Sequence, residues 1–372
     1  MQITELHWYS SIMLQSADVA ITTVLTLLAI VDIVGNSLVC AIIKRNRVMR
    51  TPINYLLVNL AVADILYAAF MAPRIFLKLT STHPDGMTGT VLCKLLTDGN
   101  VAWVGATSSF VTLVAIAIER YYAVMYPHGN KWKLTKQNLK IYPCPSVFNN
   151  EDSYYEVDTL PFQIIIPSIW TFSLIFNIPL FLVTKIGTQD NSHYCVEIFP
   201  ERWMEKAYPL TWIALTNLSL AIMVFLYSKV VRTLWFKRND DTQLTCQQKG
   251  VIRVRKRVTL MVVAVTAIFG ICWGTASIVY VLHYTTSYNV GFVPIACANI
   301  MILFNSAVNP FVYALLNQQF REKVKAMIFC SCSALPRVHP SPEPRDLEMV
   351  NNTTHPTHPT HNTGPSSTDQ DL

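Results

Sequence analysis

Seven long apolar stretches dominate the chain, at residues 19–43, 53–77, 94–125, 164–184, 208–235, 256–282 and 292–316. Each is close to, or longer than, the roughly 20 residues a helix needs to cross hydrocarbon. Barrel strands are shorter and alternate apolar with polar positions, which these runs do not. In lipid a backbone must satisfy its own hydrogen bonds, so the pattern predicts helices. The third and fifth stretches carry polar ends that should project beyond the hydrocarbon. The first begins near Val19 and is too long for the apolar region of a cleavable signal peptide. After the seventh, residues 318–330 interleave Phe320, Val324, Ile328 and Phe329 with Arg321, Lys323 and Lys325. That spacing suits a short helix lying on a membrane surface. The expected fold is an all-α membrane protein, a seven-transmembrane helix bundle with a short amphipathic helix after the last span.

Composition agrees with this pattern. Apolar and aromatic residues make up 52% of the chain and charged residues only 14%, against about a quarter charged in soluble domains. The formal charge of +6 gains meaning from its location. Lys44, Arg45, Arg47 and Arg50 follow the first stretch, and Arg253, Arg255, Lys256 and Arg257 precede the sixth, whereas residues 1–17 and 283–293 hold no Lys or Arg. Basic connections alternate with poor ones, as when Lys and Arg stay cytoplasmic. This places the N-terminus outside and the C-terminus inside, and excludes nucleic acid as the reason for the charge. The expected organisation is a short extracellular segment 1–18, a membrane domain 19–330 and a disordered cytoplasmic tail 331–372. The tail contains an HPTHPTH run, read as low complexity.

One segment interrupts the scheme. Residues 141–163 are acidic and polar, and carry Pro143, Pro145 and Pro161 where a short cytoplasmic loop should enter the fourth span. Without them Lys140 would meet Ile164 and start a clean helix. They are read as an insertion in the second cytoplasmic loop.

Ionisable groups within membrane spans are costly, roughly 2.5–3.5 kcal/mol at a helix centre on insertion scales, and so point to function. Asp64 lies in the middle of the second span. Asn36, Ser109, Asn305 and Asn309 on other spans could offer it oxygen ligands or amide donors. A carboxylate among neutral oxygens suits a small hard cation such as sodium; a protonated Asp64 in a structural hydrogen-bond network is the other reading. Asp32, one turn before Asn36, either joins that network or faces a neighbouring helix. Glu119, Arg120 and Tyr121 end the third span. Arg120 must be paired or reach water, and a pair with Glu119 that can break would form a two-state latch. In the seventh span Pro310, after Asn309, removes a helix hydrogen bond and permits a kink, one turn before Tyr313. Trp273 sits at mid-depth in the sixth. Cys93 and Cys195 both fall at the outer side, where a disulfide can persist; two free thiols are the alternative. Cys330 and Cys332, just past the last helical stretch, are either acylation sites or free thiols.

Each motif is weak alone, but their order is specific: Gly35-Asn36, Asn59-Leu60-Ala61 with Asp64, Cys93, Glu119-Arg120-Tyr121, Trp170, Tyr227, Cys272-Trp273, and Asn309-Pro310 with Tyr313. Over residues 18–330, apart from 141–163, the chain resembles the rhodopsin-like G-protein-coupled receptors. The phrases LVAIAIERYYAVMYP and NSAVNPFVYALLNQQFREK resemble most the neuropeptide branch, such as the RFamide, galanin and tachykinin receptors. The resemblance implies a sodium pocket of Asp64, Ser109, Asn305 and Asn309, and a cytoplasmic switch of Arg120, Tyr227 and Tyr313. It implies that Trp273 couples a ligand pocket to that switch. The pocket is expected around Asp98, Ala102, Trp103, Ala106, Trp273 and Tyr280, with Arg74, Lys78, Glu197, Glu201 and Arg202 at its rim. The implied partners are an extracellular peptide, a heterotrimeric G-protein, arrestin at Thr353, Thr354, Ser366, Ser367 and Thr368, and membrane lipid.

Departures from the family pattern are specific. Ser219 and Thr275 stand where the family usually has prolines, which predicts straighter fifth and sixth spans. Cys93 and Arg120 are 27 positions apart, longer than the family spacing, which predicts an offset at the outer end of the third span. Ala102, 18 residues before Arg120, stands where amine receptors place an Asp. No Lys occurs in 292–316 to carry retinal. A transporter or channel using Asp32, Asp64 and Arg120 is the rival class, but no internal repeat or glycine-broken span supports it. Neither HExxH nor GxSxG occurs, so the chain is not read as an enzyme. A receptor-like chain that no longer signals is the remaining alternative.

Overall fold

The computed structural model describes residues 2–80, 83–84, 86–126, 160–189, 192–236, 246–286, 290–318 and 320–325. Most of the 141–163 segment, Cys330, Cys332 and the tail lie outside the described residues.

The chain runs α1 (Gln2–Arg45), α2 (Pro52–Thr80), α3 (Gly86–Leu92), α4 (Asn100–Met125), α5 (Leu160–Val183), β1 (Thr184–Gln189), β2 (Ser192–Glu197), α6 (Arg202–Val231), α7 (Cys246–Thr285) and α8 (Phe292–Leu316). Seven helical segments among them are long and apolar enough to cross a membrane: Asp18–Arg45, Pro52–Ala72, Gly86–Met125, Gln163–Val183, Arg202–Phe236, Lys249–Thr285 and Phe292–Leu316. The seventh coincides with the stretch expected from the sequence.

Several boundaries differ from expectation, each for a local reason. Residues 2–17, ahead of the first candidate span, are also helical and continuous with α1; they contain no Gly or Pro to interrupt it. Residues 160–163, assigned to the insertion, open α5; Pro161 sits in the first turn, where a missing N–H costs no helix bond. The third span is not one regular helix. A π-helical turn at Cys93–Thr97 and a break at Asp98–Gly99 precede α4, with Gly99 at φ 76°. That left-handed backbone favours glycine, and the break absorbs the extra length between Cys93 and Arg120. A Cβ on Gly99 would also lie 2.8 Å from the Arg74 Cδ. A short helix at 320–325 follows α8. Phe320 is buried against the Tyr313 ring, with centroids 6.3 Å apart, and Val324 packs on the core while Arg321, Lys323 and Lys325 are exposed.

Two glycines set how closely the helices approach. A Cβ on Gly105 of α4 would fall 2.8 Å from both the Ala63 carbonyl oxygen and the Tyr67 nitrogen of α2. A Cβ on Gly35 of α1 would fall 2.9 Å from Pro310 of α8. Without a hydrophobic drive between helices in lipid, such small-residue contacts and interhelical hydrogen bonds hold a bundle together. Asn59 supplies the clearest of these bonds. Its amide donates to the Thr112 hydroxyl at 2.8 Å, and its carbonyl accepts from the Trp170 indole at 2.9 Å, so one side chain ties α2, α4 and α5.

Candidate functional site

At one end of the bundle β1 and β2 form an antiparallel hairpin, with Ile186 opposite Cys195. Cys195 forms a disulfide with Cys93, their Cα atoms 5.6 Å apart. The hairpin is anchored further at its base. The Thr184 hydroxyl donates to Asp98 Oδ2 at 2.6 Å, and Asn100 donates to Thr184 at 3.1 Å. His83, which the sequence reading did not single out, receives the hairpin from below: its backbone N–H donates to the His193 carbonyl at 2.9 Å, and its ring Nε2 lies 2.8 Å from the Thr97 hydroxyl. Asp98 is buried and engaged with Thr184, so the structure places it at the hairpin's root.

Beneath the hairpin end lies an aromatic floor. Its centre is Trp212 of α6, which sequence reasoning missed. Trp212 stacks on Trp273 of α7 at 5.6 Å between centroids and meets Trp103 at 5.2 Å, Phe110 at 5.5 Å and Phe176 at 6.0 Å. Ala102 and Ala106, on the same helix as Trp103, are buried. Asn177 of α5 fixes the arrangement: its amide donates to the Thr107 hydroxyl at 2.9 Å, and its carbonyl accepts from the Tyr208 hydroxyl at 3.2 Å and the Trp212 indole at 3.4 Å. The signal for Trp212 was an indole amid an apolar run, which no motif marks. Tyr280, packed against the same core, donates to Asn299 at 2.9 Å. Of the rim residues, Arg74 is half-buried beside Gly99, whereas the side chain of Lys78 lies outside the described set.

Below the floor sits a polar cluster. Asp64 is fully buried. Its Oδ1 accepts from the Ser109 hydroxyl at 2.7 Å and its Oδ2 from the Asn309 amide at 2.8 Å. The side-chain oxygens of Asn305 and Asn309 are buried without a hydrogen-bond partner among the described residues. Unpaired buried acceptors are expensive, and a small hard cation takes oxygen ligands of this kind. The donor set therefore fits sodium, with Asp64, Ser109, Asn305 and Asn309 as the residues that would hold it. Asp32 extends the cluster. It too is fully buried, and the Asn36 amide donates both to its carboxylate and, at 3.4 Å, to the Ser306 carbonyl of α8.

At the far end, Glu119 and Arg120 form a two-point ion pair through the Arg120 Nε and terminal nitrogen. Glu119 is 6% exposed and Arg120 13%, so the pair is largely withdrawn from water. Tyr121 packs beside Val124, Val230 and Leu234. Tyr227 and Tyr313 are buried, and the Tyr313 hydroxyl has no hydrogen-bond partner among the described residues. Pro310, packed on Gly35, lies between the Asp64 cluster and Tyr313.

The site thus has three tiers in one helix bundle: an aromatic cluster near the disulfide-bound hairpin, a buried carboxylate cluster, and an Arg–Glu ion pair beside two buried tyrosines. This layout is that of a membrane-spanning helix bundle with buried polar groups along its length. The chain belongs to the seven-transmembrane receptors of the rhodopsin family, whose model matches residues 35–144 and 159–313. The match omits residues 145–158, inside the segment read as an insertion. Among curated relatives, the chain is 25% identical to the pyroglutamylated RF-amide peptide receptor of Mus musculus, over 83% of this chain and 70% of that protein. It is 28% identical to the tachykinin-like peptides receptor 86C of Drosophila melanogaster, over 84% of this chain and 59% of that protein. It is 26% identical to galanin receptor 2b of Danio rerio, over 88% and 80% respectively. Membership in this family removes the ground for the transporter reading.

Proposed function

We propose that the protein is a receptor for an extracellular peptide and that it drives nucleotide exchange on a heterotrimeric G-protein. The relatives with peptide-receptor names support the ligand class. The observation that carries the mechanism is the tiered axis from Trp212 and Trp273, through Asp64, to Arg120. The disulfide-bound hairpin belongs on the oxidising outer face, which puts the Glu119–Arg120 pair and the basic start of α7 inside.

On this reading an agonist enters beneath the hairpin and bears on the aromatic floor. It binds the state with an open cytoplasmic end better than the closed one, and so shifts the population. Trp273 transmits the shift into α7, and release of Arg120 from Glu119 exposes the surface that a G-protein meets. Tyr227 and Tyr313 offer hydroxyls to the freed region. Sodium bound at Asp64 favours the closed state, so sodium and agonist oppose each other reciprocally. Acylation at Cys330 and Cys332 and arrestin recruitment by the phosphorylated tail belong to the same proposal.

The test is nucleotide exchange on mixed G-proteins in membranes carrying the chain, challenged with a pooled library of amidated neuropeptides. A response that fractionates to one peptide supports the assignment. No response from surface-expressed protein, even after deletion of 141–158, supports instead a receptor-like chain that no longer signals.

A further inference from the structure

The lower halves of α6 and α7 do not close on each other toward the bilayer. Between them lies a groove of about 1000 Å³, at the upper end of the roughly 300–1,000 Å³ of small-ligand sites. Its walls are mainly apolar, with Leu220, Val224, Val263, Ala267 and Ile271 among them. Val224 and Ile271 are exposed, so the groove opens sideways, on a surface that faces hydrocarbon in a membrane-spanning bundle. Gly270 narrows its upper end, where a Cβ would meet the Leu220 side chain at 3.2 Å. Arg232 and Phe236 line its lower end.

Two features select the occupant. The first is charge. Arg232 is exposed, and its guanidinium has no hydrogen-bond or ion-pair partner among the described residues. Lys256 stands nearby, its ammonium 5.5 Å from the ring centre of Trp235. An apolar groove ending at an unpaired cation fits an apolar chain ending in an anion. The second is length. The helix from Leu220 to Arg232 rises about 18 Å at 1.5 Å per residue, slightly more than half of the roughly 30 Å hydrocarbon core. The groove therefore runs from headgroup level to mid-depth within one leaflet.

We infer that this groove is a binding site for one anionic phospholipid, with an acyl chain between α6 and α7 and the headgroup phosphate on Arg232. The site abuts Tyr227, so its occupant touches the helix face that carries a switch residue. The inference deepens the proposed function, which supplies the inner leaflet as the lipid's source. The binding itself can be measured without that reading.

The full chain is placed in nanodiscs whose two leaflets are alike. They contain phosphatidylcholine with a trace of either phosphatidylglycerol or phosphatidylcholine carrying the same photoreactive acyl chain. After illumination, labelled peptides are mapped. The site predicts labelling concentrated on residues 220–236 and 263–271. The glycerol probe should exceed the choline probe by about five-fold there, the ratio that roughly 1 kcal/mol for one Arg at an anionic surface gives. Arg232→Gln should reduce the glycerol probe to the choline level. Ala267→Trp, an exposed position within the groove, should reduce labelling by both probes at this site alone. Equal labelling by the two probes, even labelling over all spans, or indifference to Arg232→Gln overturns the proposal. Because no agonist or G-protein is used, such a failure leaves the signalling assignment untouched.

Discussion

At the scale of single residues, the fully buried acids carry the sharpest consequences. Asp64 holds donors from Ser109 and Asn309, while Asn305 and Asn309 keep oxygens without partners. Asp64→Asn should abolish any effect of sodium on agonist affinity, measured by binding in sodium against a large organic cation. A sodium effect that survives the substitution rules out Asp64 as the anchor. Asp32 behaves differently, because its second oxygen is buried without a partner. Asn has nearly the same shape and brings no charge to desolvate, so Asp32→Asn should leave thermal stability equal or higher. A clear fall would show that the carboxyl makes a contact that an amide cannot replace. Asp64, Arg120 and Pro310 were legible in the sequence because a charge or a proline inside an apolar run stands out. Trp212 was not, because an indole in such a run looks the same whether it faces lipid or the centre of the bundle. Only the fold brings it between Trp103 and Trp273. Gly105 was hidden likewise: its closeness to Ala63 and Tyr67 is a property of two helices, not one. Gly105→Val should destabilise the bundle by about 1–3 kcal/mol, as overpacking typically does, and lower surface expression. Normal expression would mean that α2 and α4 can separate.

At the scale of elements, the seven spans could be read from hydropathy because each must match the bilayer. The interruption of the third span could not, since π turns and a left-handed glycine leave hydropathy unchanged. At the two positions without the family prolines, the Ser219 and Thr275 hydroxyls donate back to the Leu215 and Ile271 carbonyls at 2.8 Å each, and α7 runs forty residues without a proline. Thr275→Pro would remove the backbone donor at that turn and introduce a kink. It should raise basal nucleotide exchange by loosening the lower half of α7 from α6. Unchanged basal activity would show that this receptor moves α7 without a hinge there. The hairpin is the other element with a clear prediction. It is held by the Cys93–Cys195 bond and by Asp98, Asn100 and Thr184. Cys195→Ala should cost about 2–4 kcal/mol of stability, read as a lower melting temperature. The noncovalent anchor at Thr184 should keep part of the surface pool folded.

At the scale of the whole molecule, one helix bundle connects an aromatic cluster near the hairpin with an ion pair at the opposite end. The connection is physical rather than positional. The Trp273 ring packs on Phe269 and Phe110, the Asp64 cluster links α2, α4 and α8, and Pro310 leads to Tyr313. The central claim is that the Glu119–Arg120 pair is the latch of this device and not a structural fastening. Binding and exchange measured side by side on Arg120→Ala, at matched surface expression, test it most directly. The account predicts that agonist still binds in the absence of G-protein while stimulated exchange is lost. If binding and folding disappear together, or if exchange persists, Arg120 is not the latch.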